Sequence, residues 1–209
     1  MTDLTFYTNP QSRGQIIRWM LEEVGVPYET EILTYGGSMT AEPYKSINPM
    51  MKVPAIRHRG TVVTEVAAIC AYLADAFPEA GLAPALTDRA DYYRFLFFAS
   101  GPLEMTFSLK AIQYDPPADK QAMFGHGSEA RTFAALETML TGRDYACGDR
   151  FTAADLYVAS QLGFMMTFGM IEGTPLLKAY VARCTDREAY RRAKQIDTEA
   201  AEAMKTDAS

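Results

Sequence analysis

Residues 48–73 read NPMMKVPAIRHRGTVVTEVAAICAYL, and this stretch decides the fold. Pro54 stands where a short apolar strand begins, a position that suits proline because its nitrogen has no hydrogen to donate to a strand partner. Proline is also the residue before which a cis peptide bond costs least. We predict a cis Val53–Pro54 bond, which would leave the Val53 N–H and C=O free to pair with an extended peptide. A trans proline on an edge strand is the alternative.

Strand and helix patterns alternate around this stretch. The predicted elements are a strand over 4–7, a helix over 15–24, a strand over 28–33, a short helix or irregular piece over 41–47, strands over 53–57 and 61–64, and a helix over 65–76. The short connection His58-Arg59-Gly60 makes the last two strands a hairpin. This order predicts a thioredoxin-like α/β domain with a mixed sheet, in which ligands gather at the carboxyl ends of the parallel strands.

The remaining two thirds of the chain carry helical patterns without strand signals. We expect a thioredoxin-like domain over 1–79, a linker over 80–87 and an all-helical bundle domain over 88–209. The predicted helices cover 89–113 with a kink at Gly101-Pro102, 118–140 with a looser part near Gly125-His126-Gly127, 156–170, 174–184 and 186–204. Thr152 and Asp155 have the spacing of a capping box, which opens the third of these helices.

Composition excludes several classes of function. The chain has 209 residues and a formal net charge of −6 with no basic block, so nucleic-acid binding is not expected. No apolar run is long enough to span a membrane, and the N-terminus lacks the pattern of a signal peptide. Three separated cysteines and two histidines predict neither a disulfide framework nor a metal site. We therefore expect a reduced, cytoplasmic protein.

Three stretches together resemble the cytosolic glutathione transferase superfamily, with the bacterial members nearest. Residues 48–56 read NPMMKVPAI, close to the family's NPxGKVPxL corner. Residues 64–73 read TEVAAICAYL, close to its ESxAIxxYL helix start, and residues 148–156 read GDRFTAADL, close to its FSxAD pattern. The three occur in order and at the family's spacing, and the resemblance extends over nearly the whole chain.

The resemblance implies a glutathione site around the corner. The Val53 backbone, turned by Pro54, would pair with the cysteinyl part of the tripeptide, and Glu65 would bind its ammonium group. Lys52 would pair with the glycyl carboxylate. The N–H groups at the helix start near Val66 would bind the γ-glutamyl carboxylate.

The sequence departs from the family pattern at two positions beside the corner. Val66 stands where the family has a serine, so a hydroxyl ligand for the γ-glutamyl carboxylate is missing. Met51 stands where the family has a glycine.

Three residues are candidates for activating the glutathione thiol. Ser12 lies where serine-using and cysteine-using members place theirs, and a hydroxyl at a helix N-terminus favours a thiolate. Its alternative role is that of a helix N-cap. Tyr7 falls where tyrosine-using members place theirs, or it is a tyrosine buried in the sheet. Asn9 is the third candidate, because some bacterial members use an amide.

The resemblance also implies an apolar electrophile subsite on the long helix after the linker. Its candidate residues are Met105, Phe107, Ser108 and Tyr114, with a contribution from residues 164–168. Core packing is the alternative for most of them. The implied function is conjugation of glutathione to apolar electrophiles by a homodimer. The alternatives are a glutathione-dependent reductase or isomerase, and a non-catalytic protein that binds glutathione or an apolar ligand.

Other reactive side chains have structural interpretations. Cys70 and Cys147 lack a partner cysteine or a nearby histidine, so we do not expect either to be a nucleophile. We expect His58, in the hairpin turn, and His126, between two glycines, at the surface.

Overall fold

The computed structural model describes residues 2–206. The chain divides into two compact units. The first contains residues 2–80 together with 187–206, and the second contains residues 81–186. No helix in the described part of the chain is long and apolar enough to cross a membrane.

The first unit is built on a four-stranded mixed sheet, as the sequence predicts. Its elements up to residue 80 are β1 (Leu4–Thr8), α1 (Gly14–Val24), β2 (Glu29–Ile32), α2 (Tyr44–Ile47), β3 (Ala55–His58), β4 (Thr61–Thr64) and α3 (Val66–Ala76). The strand order is β2-β1-β3-β4, in which β1 and β2 are parallel and the other pairs are antiparallel. The predicted hairpin of β3 and β4 is therefore confirmed.

The core of this unit explains why the strands and helices form where they do. Phe6 and Ile56 are completely buried and pair across β1 and β3. The apolar spacing of α1 buries Ile17, Met20 and Leu21. The helix ends at Gly25, whose φ of 73° lies in the left-handed region that glycine tolerates best.

The expectation that His58 lies at the surface is wrong, because this side chain is buried. Its Nδ1 lies 2.9 Å from the hydroxyl of Tyr72, and its ring packs against Phe77 with a centroid distance of 5.3 Å. His58 ends β3 on the face of the sheet that α3 covers, so the fold buries it despite its place beside the turn.

The second unit is entirely helical. It contains α4 (Ala90–Phe98), α5 (Glu104–Ala111), α6 (Glu129–Leu140), α7 (Ala153–Thr167) and α8 (Pro175–Thr185). A π-helical turn over Ala99–Leu103 joins α4 to α5 and holds Pro102, which has no N–H for a regular helical bond. The predicted break in helical regularity at Gly101-Pro102 therefore coincides with this π-helical turn.

The helix predicted over 118–140, loosened near Gly125-His126-Gly127, is interrupted in that region and begins later than predicted. Only Glu129–Leu140 is α-helical, preceded by a short 3-10 turn at Gln121–Met123. Gly127 has a φ of 71°, and the Ser128 hydroxyl accepts the Arg131 N–H at 3.2 Å, so the helix starts anew after the glycine. His126 beside this turn is buried rather than exposed, which corrects a second expectation.

Asp155 organises the start of α7, where a capping box forms as predicted. Its carboxylate accepts the Thr152 N–H at 2.9 Å and the Ala146 N–H at 2.6 Å. It also accepts the Tyr180 hydroxyl from α8 at 2.8 Å. Because the carboxylate is fully buried and hydrogen-bonded in this way, it joins a loop and two helices into one core.

The last helix, α9 (Glu188–Thr206), belongs to the first unit. The all-helical domain predicted over 88–209 includes this helix, but in the structure it packs against α1. Arg18 of α1 forms a buried ion pair with Asp197 of α9 at 3.2 Å. Arg187 makes two hydrogen bonds to Glu23, at 2.6 and 2.7 Å. The rings of Trp19 and Tyr190 pack edge to face with a centroid distance of 4.8 Å. A buried charge needs such a partner, so these pairs fix how α9 lies on α1.

Candidate functional site

Strand register brings three connecting segments to one end of the sheet. Tyr7 of β1 pairs with Ala55 of β3, and Ala55 pairs in turn with Thr64 of β4. Neighbouring strands lie about 4.8 Å apart. The loop that follows β1, the turn that precedes β3 and the start of α3 therefore lie side by side.

Two polar side chains stabilise the turn before β3 by hydrogen bonds. The Asn48 amide donates to the Lys52 carbonyl at 2.8 Å, and the Tyr44 hydroxyl donates to the same oxygen. The side-chain oxygen of Asn48, Oδ1, accepts the Met50 N–H at 3.0 Å. Neither Asn48 nor Tyr44 is among the site residues that the sequence predicts. The Asn48-Pro49 dipeptide, typical of a turn, was the available signal for Asn48.

Met51 adopts a backbone conformation that favours glycine. Its φ is 53°, in the left-handed region that an L side chain occupies at a cost of about 1–2 kcal/mol. This is the position at which the resembling family has a glycine. Residue 51 thus keeps the left-handed conformation that suits glycine, and the methionine raises the conformational energy of the turn.

Val53 presents an unused backbone. The Val53–Pro54 peptide bond is cis, and Pro54 is buried. Val53 is half-buried and lies outside the strands, and its N–H and C=O make no hydrogen bond to any residue within 2–206. Beside it, the exposed Lys52 ammonium has no ion-pair partner in that range. An extended peptide is the kind of ligand that such a backbone pairs with.

The start of α3 also has unused groups. The first helical bond in this region runs from the Ile69 N–H to the Glu65 carbonyl at 2.8 Å. The N–H groups of the residues between them therefore lack helical partners, and the helix dipole makes this end attractive to anions. Val66, the first helical residue, buries its side chain to 8% exposure, so it contributes its backbone N–H only.

Glu65 is held in an unusual conformation at the same helix end. Its φ of 68° and ψ of 122° lie in a sparsely populated region, which costs about 1–3 kcal/mol. The side chain is exposed, and its carboxylate has no hydrogen bond or ion pair with the described residues. Such local strain is commonest at ligand sites. Glu65 therefore offers an unpaired anion beside a positive helix end.

Two of the three candidate thiol-activating residues are part of the core. Tyr7 is 2% exposed and packs against Tyr44 with a centroid distance of 5.5 Å. Burial raises the pKa of Tyr7, so its hydroxyl is neutral near pH 7. Asn9 is 1% exposed; its amide donates to the Leu33 carbonyl at 2.8 Å and accepts the Gln11 N–H at 2.9 Å. Asn9 thus ties the loop after β1 to the end of β2.

Ser12 is the most accessible of the three. It is half-buried, and its hydroxyl donates to the Asn9 carbonyl at 2.6 Å while accepting the Gly14 N–H at 2.9 Å. A Cβ on Gly14 would lie 2.0 Å from the Thr8 hydroxyl oxygen, so the close turn into α1 requires glycine there. The serine hydroxyl sits at the start of α1 with both of its hydrogen-bonding roles in use.

The candidate electrophile residues lie in the second unit. Met105 and Tyr114 are 37% and 47% exposed, and Ser108 is exposed as well. Phe107 contacts Phe164 of α7 with a centroid distance of 5.4 Å, and Phe164 lies 4.3 Å from Phe168. The structure therefore joins Phe107 to the aromatic group at the end of α7; among residues 2–206, the ring contacts of this group do not include Tyr114.

The cysteines have the properties of packing residues. Cys70 is fully buried, and burial raises the pKa of its thiol. Burial also raises the pKa of Cys147 to about 11, so this thiol is neutral near pH 7. Within residues 2–206 no group of three His, Cys, Asp or Glu side chains could hold a metal ion.

Comparison with known proteins gives one consistent family. Residues 12–76 match the N-terminal domain and residues 102–188 the C-terminal domain of glutathione S-transferases. The chain is 32% identical over 167 residues to glutathione S-transferase 1 of Dianthus caryophyllus, covering 76% of this chain and 75% of the relative. It is 29% identical over 190 residues to a maleylpyruvate isomerase of a Ralstonia species, and the match covers 85% of this chain and 89% of the relative.

A solved structure shows the same likeness in three dimensions. A sphingomonad glutathione S-transferase in complex with glutathione is 27% identical to this chain and superposes with a TM-score of 0.76. The match covers 93% of this chain and 98% of the other.

Proposed function

Because the chain belongs to the glutathione S-transferase superfamily, we propose that it binds glutathione and adds the glutathione thiolate to an apolar electrophile. The observation that carries this proposal is the set of unused groups at one end of the sheet. Val53 offers a backbone pair, Glu65 an anion and α3 a positive helix end. Glutathione is an extended tripeptide with an ammonium group, two carboxylates and one thiol, so each unused group has a counterpart in it.

The proposed roles follow the chemistry of each group. The Val53 N–H and C=O pair with the cysteinyl backbone, and Glu65 binds the ammonium group. The N–H groups at Val66 and beyond bind the γ-glutamyl carboxylate, and Lys52 binds the glycyl carboxylate. These contacts fix the position of the thiol, and proximity then supplies much of the rate enhancement.

Ser12 is the proposed thiol-activating residue. To donate to the sulfur, its hydroxyl hydrogen turns from the Asn9 carbonyl to the thiolate, while the oxygen keeps the Gly14 N–H. Together with the N-terminus of α1, this bond lowers the thiol pKa. The thiolate then forms a carbon–sulfur bond to the electrophile, whose leaving group departs with the displaced electron pair. Phe107 and its aromatic neighbours supply apolar surface for the electrophile.

The test combines glutathione titration by calorimetry with an assay of an aromatic halide. We expect saturable binding, turnover in the wild type, a rate about 10–100-fold lower in Ser12→Ala and near-normal turnover in Tyr7→Phe. Absence of binding at millimolar glutathione would overturn the proposal as a whole. Binding without turnover of any electrophile would favour a binding protein. Loss of turnover in Tyr7→Phe alone would transfer the activating role to Tyr7.

A glutathione-dependent isomerase is the second candidate, since the Ralstonia relative is a maleylpyruvate isomerase. An isomerase releases glutathione unchanged after each cycle, whereas a transferase consumes one glutathione per product. Product formation that exceeds the glutathione supplied would therefore favour the isomerase. A disulfide reductase has less support because residues 7–15 contain no cysteine.

We also propose that the protein acts as a cytoplasmic homodimer, as the family resemblance implies. Sedimentation equilibrium of the full chain measures the assembly state. A monomer at micromolar concentration would overturn this part without affecting the proposed reaction.

A further inference from the structure

The second unit contains an open cavity of about 300 Å³ that has no role in the proposed reaction. It is bounded by the end of α6, the turn that follows it, and α8. Its apolar lining comes from Leu140, Leu176, Ala179 and Tyr180, of which Leu140 and Tyr180 are only 2% exposed. The Tyr180 hydroxyl is engaged by Asp155 at 2.8 Å, so this residue offers the cavity only its apolar ring.

Two arginines, Arg143 and Arg183, line the same cavity. Arg143 uses Nη1 for its bonds to Asp91 and to the Ala146 carbonyl. Arg183 uses Nη1 to bind the Asp144 carbonyl at 2.7 Å. Within residues 2–206 the Nε and Nη2 atoms of both arginines make no hydrogen bond. Nε and Nη2 form the edge through which arginine binds a carboxylate with two parallel hydrogen bonds.

The charges around the cavity restrict the ligand. Asp144 is the one carboxylate in the lining, against two guanidinium groups. Its Oδ1 lies 3.6 Å from Arg183 Nη2, too far for a hydrogen bond, and its side chain is 70% exposed. This pair is weak in solvent, so a better-placed carboxylate can replace it. Asp91 pairs with Arg143 through Nη1, which leaves the other edge of that guanidinium unused.

We propose that this cavity is a binding site for a small apolar carboxylate, separate from the proposed glutathione site. The carboxylate binds the Nε–Nη2 edge of Arg183 or Arg143. The apolar body of the ligand packs over Leu176 and Ala179, the accessible apolar residues of the lining. Neither glutathione nor the groups at Val53 and Glu65 take part in this binding. A test of the cavity therefore does not depend on the proposed reaction.

The experiment is a titration of the isotope-labelled full chain with benzoate, followed by the amide signals of residues around the cavity. Benzamide is the matched neutral probe. We expect saturable shifts at Gly142 with benzoate and at least tenfold weaker binding of benzamide. Arg183→Gln should weaken benzoate binding at least tenfold, while Arg94→Gln, an exposed arginine on α4 outside the cavity, should not.

A second variant fills the cavity without removing a charge. Ala179 is exposed on α8, so Ala179→Phe adds a ring over the apolar lining and should abolish the benzoate shifts with the rest of the spectrum unchanged. The proposal would be overturned by no saturable shift with benzoate, by equal binding of benzamide, or by binding that survives both cavity variants. Shifts confined to residues 105–114 would also overturn it, because they would place the probe elsewhere.

Discussion

The loop at residues 8–15 and the corner at residues 51–66 flank the same end of the sheet but treat their polar groups in opposite ways. In the loop, the Asn9 amide and the Ser12 hydroxyl are each engaged twice by the protein itself. In the corner, the Val53 backbone, the Lys52 ammonium and the Glu65 carboxylate have no partner among residues 2–206. An internally bonded loop holds its geometry, whereas unpaired groups are available to a ligand. We infer that the corner at residues 51–66 binds the ligand. The loop at residues 8–15 holds the Ser12 side chain in position beside it.

The largest expected effect is a loss of glutathione affinity when Glu65, in the corner at residues 51–66, is changed. Glu65→Ala removes the proposed partner of the ammonium group, so glutathione affinity should fall about 100-fold, as for truncation of one member of a charged, hydrogen-bonded pair. Calorimetric titration measures it, and the melting temperature should stay close to that of the wild type.

Glu29→Ala, an exposed carboxylate on β2, is the matched control for Glu65. It should leave glutathione affinity unchanged. Equal losses in the two variants would show that overall charge, rather than the position of Glu65, decides binding.

The next effect tests the loop. Asn9→Ala leaves the buried Leu33 carbonyl and the Gln11 N–H without their partners, so the free energy of unfolding should fall by about 2 kcal/mol. Denaturant titration measures it. Gln11→Ala, an exposed neighbour, should change stability by less than about 0.5 kcal/mol. If Asn9→Ala kept full stability and lost only turnover, Asn9 would be an activating residue rather than a structural one.

A smaller effect is expected at Lys52. Its ammonium is exposed, so Lys52→Ala should weaken glutathione binding about fivefold, and the difference should shrink at high salt. Titrations at two salt concentrations measure it, with Lys45→Ala on α2 as the control. A salt-independent loss would argue against an ion pair at this position.

The smallest effect concerns the backbone of the corner. Met51→Gly relieves the cost of a φ of 53° but adds chain entropy to the unfolded state, so stability should rise by about 0.5 kcal/mol. Met50, the neighbouring residue, has no positive φ of its own, so Met50→Gly should lower stability instead. A loss of stability in both variants would show that the Met51 side chain contributes packing that outweighs the strain.

Local patterns in the sequence predicted most of the fold. Alternation of strand and helix periods gave the elements of the sheet, and β4 has the predicted bounds of Thr61–Thr64. The spacing of Thr152 and Asp155 predicted the capping box. Glycine and proline marked the end of α1 and the π-helical turn at Pro102, because their backbone limits act within a few residues.

Tertiary structure alone decided which polar groups are used up and which are left free. Whether His58 and His126 are buried depends on the elements that pack over them, and the sequence near each suggested the surface. The helical period of residues 188–206 predicts a helix but not that Asp197 pairs with Arg18, far away in the chain. Likewise, Asn9 reads as a candidate for catalysis until the fold brings the Leu33 carbonyl to its amide. The sequence determines local conformation because those forces act over a few residues, and only long-range packing assigns each polar group its partner.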